Sequence, residues 1–196
     1  MEQIRSFVAI ELEDELRTEL KRIQESLRGK RIADGVRWVR PEGIHLTLKF
    51  LGNVPANRIH EVVPAVADST EGVEPFSISL AGLGCFPSFA RPNVIWVGVG
   101  GETGALARLR ANIEANLATL GYPPEKREYT PHLTLGRVDR RTGAADRRRL
   151  GALVQTETFA SHSEMLVREI SLMKSELSPA GARYTRLGAV QLEDHP

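Results

Sequence analysis

With 196 residues, 21.7 kDa, 41% apolar and 26% charged side chains, the chain has the size and composition of one folded domain, or of two small lobes sharing a core. That excludes collagen-like, low-complexity and largely disordered classes. No run approaches the roughly 18–20 uncharged apolar residues of a membrane span, the opening Met1-Glu2-Gln3-Ile4-Arg5 does not read as a secretory signal, and the lone Cys85 allows neither an intrachain disulfide nor a thiolate zinc cluster. The expectation is a cytoplasmic protein without a membrane partner. A net charge of +1 is unevenly spread: −3 over residues 1–27, +4 over 28–49 and +4 over 127–149. The two basic stretches suit a phosphate-bearing partner, or are simply a solvated arginine face.

In chain order, residues 4–12 (IRSFVAIEL) read as a strand. Asp14 opens a helix with Leu16, Leu20, Ile23 and Leu27 at helical spacing, stopped by Gly29. Val36 to Arg40 is a short extended piece ended by Pro41, and Ile44 to Leu51 a strand ended by Gly52. Pro55 and Asn57 introduce a helix with Ile59, Val62, Val63 and Val66 on one side, and Phe76 to Leu83 alternates as a strand before a Gly/Pro-marked loop through Arg91-Pro92. The second half repeats the order. Asn93 to Val99 is a strand; a long helix from Glu102 or Thr103 carries Leu106, Leu109, Ile113, Leu117 and Leu120 and ends at Gly121. A strand within Tyr129–Val138, a basic helix from about Ala144 to Val154, and strands near 164–175 and 183–192 follow. Strand, helix, strand, helix, strand is thus read twice with no Gly/Ser/Pro-rich linker between. This predicts two lobes, about 1–90 and 91–196, packed as a single 1–196 unit.

The sharpest feature is a repeated tetrapeptide: His45-Leu46-Thr47-Leu48 returns as His132-Leu133-Thr134-Leu135, at the corresponding place in the second half. On a strand, side chains alternate faces, so His and Thr share one face and the two leucines the other. The leucines enter a core, and imidazole and hydroxyl stand side by side toward a cleft. Two such strands related by pseudo-symmetry bring two His-Thr pairs together. Paired imidazoles suit acid–base chemistry near neutral pH, one accepting a proton and the other donating one. Threonine hydroxyls hydrogen-bond phosphoryl oxygens without adding charge, and an arginine neutralises developing charge. Arg137 would reach the cleft only through a bulge or strand end, which Gly136 can supply. A single His-x-Thr strand is ordinarily a sheet with a satisfied histidine; the duplication points to a site. A metal centre would need a third ligand, and neither motif holds an acidic or cysteine residue, so no metal and no cofactor is expected.

These motifs, with Arg5-Ser6-Phe7-Val8-Ala9-Ile10, Trp38, Pro41-Glu42, HLTLKFLG at 45–52, GLGCFPS at 82–88, RPNVIWVGV at 91–99, PHLTLGR at 131–137, Lys174-Ser175-Glu176-Leu177 and Gly181 to Tyr184, resemble the 2H phosphoesterase superfamily. Within it they resemble most the RNA 2′,3′-cyclic phosphodiesterases, also called 2′-5′ RNA ligases. The resemblance implies an α+β fold of two pseudo-symmetric lobes, each an antiparallel sheet with helices on its outer face, around a central cleft. It implies a metal- and ATP-independent enzyme that opens an RNA terminal 2′,3′-cyclic phosphate to a 2′-phosphate. Such an enzyme can also join such an end, as on tRNA halves, to a 5′-hydroxyl through a 2′-5′ linkage. By the same resemblance His45 donates to the leaving 3′-oxygen, His132 activates the nucleophile, Thr47 and Thr134 hold non-bridging oxygens, and Arg137 contacts phosphate.

Further candidates carry two readings each. Phe50 contacts a nucleobase if the strand bulges, or packs in the core; Trp38 stacks on a base or is buried; Arg91 contacts phosphate or caps its loop. Tyr184 and Ser175 match family landmarks, His60 falls on a helix surface, His162 and His195 match no motif, and Cys85 reads as a buried small side chain. The alternatives to an RNA-end phosphodiesterase are a phosphodiesterase for small cyclic nucleotides and a non-catalytic RNA-end binding protein. A monomer without an obligate protein partner is expected.

Overall fold

The computed structural model describes residues 2–30, 34–161, 163–178 and 181–193; Arg31, His162 and His195 lie outside them. The elements are β1 (Gln3–Glu11), α1 (Asp14–Arg28), β2 (Val36–Trp38), β3 (His45–Pro55), α2 (Ile59–Asp68), β4 (Phe76–Phe86), β5 (Val94–Gly101), α3 (Thr103–Thr119), β6 (His132–Val138), α4 (Ala144–Thr156), β7 (Glu164–Val167), β8 (Glu169–Ser178) and β9 (Gly181–Gln191). No helix is long and apolar enough to cross a membrane.

The helices form where apolar spacing and terminal charge agree. α1 has Asp14 and Glu15 in its first turn and Arg28 in its last, as the helix dipole favours, and buries Leu16, Leu20, Ile23 and Leu27. α3 buries Leu106, Leu109, Ile113 and Leu117, and the turn after it uses Gly121 at φ +89°. The basic helix α4 buries Leu150 and Val154, and one of its arginines has structural work. Arg147 donates to the carbonyls of Pro92 and Asp139 and to Asn93 Oδ1, tying α4 to the loop before β5 and the end of β6.

Two strand readings need correction. β3 does not stop at Gly52 but runs to Pro55: Gly52, at φ +71°, sits opposite Ser6, while Phe50 faces Phe7, so Leu51 is looped out as a bulge and the strand continues. The 164–175 stretch is two strands divided at Arg168, because β7 pairs with β4 and β8 pairs with β1.

All strands pair antiparallel in the order β7-β4-β5-β6-β3-β1-β8-β9, with β2 on β6. The α+β fold of two lobes is therefore present, with the lobes meeting at one β3–β6 residue pair, Leu46 opposite Leu133. Their make-up differs from a division near residue 90. β4, from the first half of the chain, lies beside β5, whereas β8 and β9, from the second half, lie beside β1. A short loop joins β4 to β5, and antiparallel strands so joined pair as a hairpin, which carries β4 across to the second lobe. One continuous core takes the helix leucines and, from the motif strands, Leu46, Leu48, Leu133 and Leu135, each at most 1% exposed. The opposite face of the sheet is left for the histidines.

Candidate active site

The two motif strands have the same run of burial over seven residues. From His45 and from His132, the first and third residues are half-buried, the second, fourth and fifth buried, and the sixth exposed. The cause is a bulge at the same place in each. Against β1, Thr47 pairs with Ala9 and Lys49 with Val8, leaving Leu48 out; against β5, Thr134 pairs with Trp96 and Gly136 with Ile95, leaving Leu135 out. The extra residue shifts the alternation by one. Residues five after each histidine, Phe50 and Arg137, therefore come round to the histidine face. The bulge beside Gly136 that Arg137 required is present, and Phe50 reaches the cleft by the same device.

His45, Thr47, Phe50, His132, Thr134 and Arg137 all line one cavity of about 810 Å³. Because the strands cross antiparallel with Leu46 opposite Leu133, His45 stands across from Thr134 and Thr47 across from His132. Among the described residues neither threonine hydroxyl has a protein partner. Each histidine is held in the same way: Nδ1 lies 3.0 Å from the carbonyl oxygen of Gly43 in His45, and 2.7 Å from that of Thr130 in His132. A carbonyl only accepts, so Nδ1 carries the proton in both rings, and Nε2 is left for exchange with a substrate.

Aromatic rings enclose both imidazoles. Phe7 stacks on His45 at 4.6 Å and Tyr184 meets it edge-on at 4.8 Å. Phe86 meets His132 edge-on at 4.8 Å, with Trp96 behind it at 6.1 Å. Gly84 makes room for that indole, since a Cβ there would lie 2.1 Å from the ring. The burial depresses both histidines below their ordinary value, but their remaining surroundings differ. For His45, burial is opposed by the Gly43 carbonyl and by the carboxylate of Glu11, and reinforced by His132. For His132, burial is opposed by the Thr130 carbonyl and reinforced by the Arg137 guanidinium. The asymmetry is written in the register: Glu11 is the cross-strand partner of His45, and Gly98 is the partner of His132.

Behind the cleft, Lys49, the residue after the bulge, is fully buried and pairs with Glu114, which also accepts from Arg110 at 2.8 Å; Lys49 Nζ donates to the Pro123 carbonyl at 2.9 Å. The Arg110 guanidinium lies over the Tyr129 ring at 4.4 Å, and the Tyr129 hydroxyl donates to the Thr47 carbonyl at 2.9 Å. This network ties the loop after α3, which lends Glu125, Arg127, Glu128, Tyr129 and Thr130 to the cavity wall, to the first motif strand.

Trp38 and Arg91 are not among the cavity-lining residues. Trp38 faces away on β2, packed on the core under the guanidinium of Arg28 at 5.3 Å, and Arg91 is exposed on the loop before β5. Tyr184 belongs to the cleft and Ser175 is its buried cross-strand partner; His60 is exposed; Cys85 is buried, which pushes its thiol up to about 12. Phe7, Phe86, Trp96, Tyr129 and Glu11 were not singled out from the sequence. Phe7, Phe86 and Trp96 lie inside the family-like segments 5–10, 82–88 and 91–99, and a period-two reading of β1 puts Phe7, Ala9 and Glu11 on one face. Among the described residues no group of three or more His, Cys, Asp or Glu side chains is disposed to hold a metal ion.

The model of one family, LigT-like phosphoesterase, matches this chain twice, over residues 10–96 and 97–184, one His-x-Thr motif in each copy. The chain belongs to the LigT-like phosphoesterases. Among the relatives of this phosphoesterase is an RNA 2′,3′-cyclic phosphodiesterase of Methanothermobacter thermautotrophicus. It is 37% identical over 191 residues, which cover 97% of this chain and 100% of the relative. An enzyme of the same name from Archaeoglobus fulgidus is 35% identical over 184 residues, 94% of this chain and 98% of its own. Of solved structures, a Thermus thermophilus protein matches with a TM-score of 0.76 at 28% identity, covering 96% of this chain and 98% of that one. Escherichia coli LigT complexed with 3′-AMP shares the fold, with a TM-score of 0.78 at 24% identity, covering 98% and 100%.

Proposed function

We propose that this phosphoesterase opens the 2′,3′-cyclic phosphate at an RNA 3′ end to a 2′-phosphate, with His45 as general acid and His132 as general base. The observation that carries the reading is the crossing of two His-x-Thr strands with both Nδ1 atoms pinned to carbonyls, so that two Nε2 atoms and two free hydroxyls share one cleft. His132 Nε2 takes the proton of an attacking water as its oxygen bonds to phosphorus. The bond from phosphorus to O3′ breaks, and protonated His45 Nε2 gives its proton to O3′. Thr47 and Thr134 hold the non-bridging oxygens, and Arg137 balances the added negative charge. With an RNA 5′-hydroxyl in place of water, the same transfers make a 2′-5′ linkage, and microscopic reversal exchanges the histidines' roles.

The order of the histidines follows from their pseudo-equivalent neighbours. Glu11 stands beside His45 where Gly98 stands beside His132, and Arg137 occupies the position that Phe50 occupies in the other strand. A carboxylate favours a protonated imidazole and a guanidinium a neutral one, so both differences favour His45 as the proton donor. The names of the full-length relatives supply the substrate class, and the choice of the 2′ product rests on the family resemblance.

The test is turnover of an RNA oligomer ending in a 2′,3′-cyclic phosphate, with phosphorus NMR against authentic 2′- and 3′-phosphate standards. The expected product is the 2′-phosphate, with His45→Ala and His132→Ala each slower by roughly 10²–10⁴-fold. A 3′-phosphate product, or a folded variant with near-normal turnover, contradicts the proposal.

A further inference from the structure

The strand β2 is three residues long, yet it brings a second arginine to the site. It pairs with β6 as Val36 to Val138, Arg37 to Arg137 and Trp38 to Gly136. Directly opposed residues of an antiparallel pair point to the same face. Val36 and Val138 are buried, and a Cβ on Gly136 would lie 2.6 Å from Val36 Cγ1 and 3.2 Å from the Trp38 ring, so that face looks into the core. Arg37 and Arg137 share the other face, both exposed, and Val39, two residues beyond Arg37, lines the cavity.

Two guanidiniums set directly opposite repel, and among the described residues neither has an ion pair to relieve it. Asp139 feels the Arg37 charge without pairing with it, and its oxygens are engaged by the backbone N–H, Nε and Nη2 of Arg141. The pair therefore offers its donors to an anion from outside. Arg137 lines the cavity; Arg37 does not, and stands directly opposite it on the neighbouring strand β2. On the other walls, Phe50 replaces Arg137 in the first motif strand with the single guanidinium of Arg5 over its ring at 5.2 Å, and the loop after α3 contributes Glu125 and Glu128 along with Arg127.

We propose that Arg37, beside Arg137, forms a second phosphate subsite that holds the phosphodiester on the 5′ side of the terminal nucleotide. A chain leaving the cleft over β6 and β2 meets this pair directly after the reacting phosphate. Bidentate guanidinium–phosphate contacts are the strong form of such recognition. The subsite lets the enzyme prefer a polynucleotide end to a cyclic mononucleotide. The inference rests on the cyclic-phosphate reading of the cleft.

The experiment compares wild type, Arg37→Ala and Arg37→Lys on two dinucleotides ending in a 2′,3′-cyclic phosphate. One has an ordinary internucleotide phosphate and the other a neutral methylphosphonate there, each with a 2′-deoxy upstream sugar. In the Arg37→Ala enzyme, KM for the charged dinucleotide is expected to rise roughly tenfold or more beyond any rise for the neutral one. Arg37→Lys recovers part of the difference, and kcat for the charged substrate changes little. An equal change on both dinucleotides, or none on either, overturns the subsite while leaving the reading of the cleft intact. If wild type opens neither dinucleotide nor a 2′,3′-cyclic mononucleotide, the reading of the cleft itself fails, and the subsite with it.

Discussion

Replacing Glu114 with Gln should destabilise the fold more than replacing its partner Lys49 with Met. The Lys49 side chain is 1% exposed and that of Glu114 9%, so their ion pair is desolvated. The amide keeps one acceptor oxygen but no charge, so the buried Lys49 ammonium is left with neutral acceptors, the Pro123 carbonyl among them, beside a second cation, Arg110. An uncompensated buried charge costs about 3–5 kcal/mol. Removing Lys49 instead leaves Glu114 paired with Arg110, and Met fills much of the vacated space. That loss resembles one charged hydrogen bond, about 1.5–3 kcal/mol. With a urea dependence of about 2 kcal/mol per M, the unfolding midpoint falls by about 2 M for Glu114→Gln and about 1 M for Lys49→Met. Urea melts followed by circular dichroism measure both. A midpoint for Glu114→Gln at or above that of Lys49→Met refutes the reasoning, as does a changed slope, which would mean that the variants alter more than stability.

Other expectations concern the chemistry. One histidine must be protonated and one neutral, and both are depressed below the ordinary imidazole value, so kcat/KM should peak below pH 6.5 and fall on the alkaline side. A plateau extending above pH 8 is the contrary result. Glu11 favours protonated His45, so Glu11→Gln should move the alkaline limb to lower pH and leave the acid limb nearly in place; an upward movement contradicts the assignment. Hydrolysis in excess EDTA should match hydrolysis without it, and activity that vanishes and returns with zinc or magnesium contradicts a two-histidine mechanism.

The repeated His-x-Thr motif made the site legible because period-two alternation is a local property. Leu46 and Leu133 had to face the core if His45 and His132 faced a cleft. Gly136 likewise marked where the strand had to bulge for Arg137 to come round. The matching bulge at Leu48 has no glycine to announce it, so the sequence leaves Phe50 between cleft and core, and only the register shows it on the cleft face. Trp38 faced two ways for a related reason: its strand is three residues long, and only the pairing of β2 with β6 assigns its faces. The exchange of β4 and β8 between lobes was not legible, since partner choice among antiparallel strands depends on contacts far apart in sequence. The aromatic enclosure was hidden by the same non-locality: Phe7, Phe86, Trp96 and Tyr184 come from four different strands. Lys49 looked like part of a basic stretch suited to phosphate, and is instead buried against Glu114.

The most direct test of the acid–base assignment uses a 2′,3′-cyclic phosphate in which sulfur replaces the 3′-oxygen. A thiolate leaves without needing a proton, so a variant lacking the general acid should recover on this substrate and one lacking the general base should not. The expected result is that His45→Ala regains most of its lost rate relative to wild type while His132→Ala remains slow. Recovery by His132→Ala alone would reverse the roles, and recovery by neither would contradict proton donation to the 3′-oxygen by either histidine.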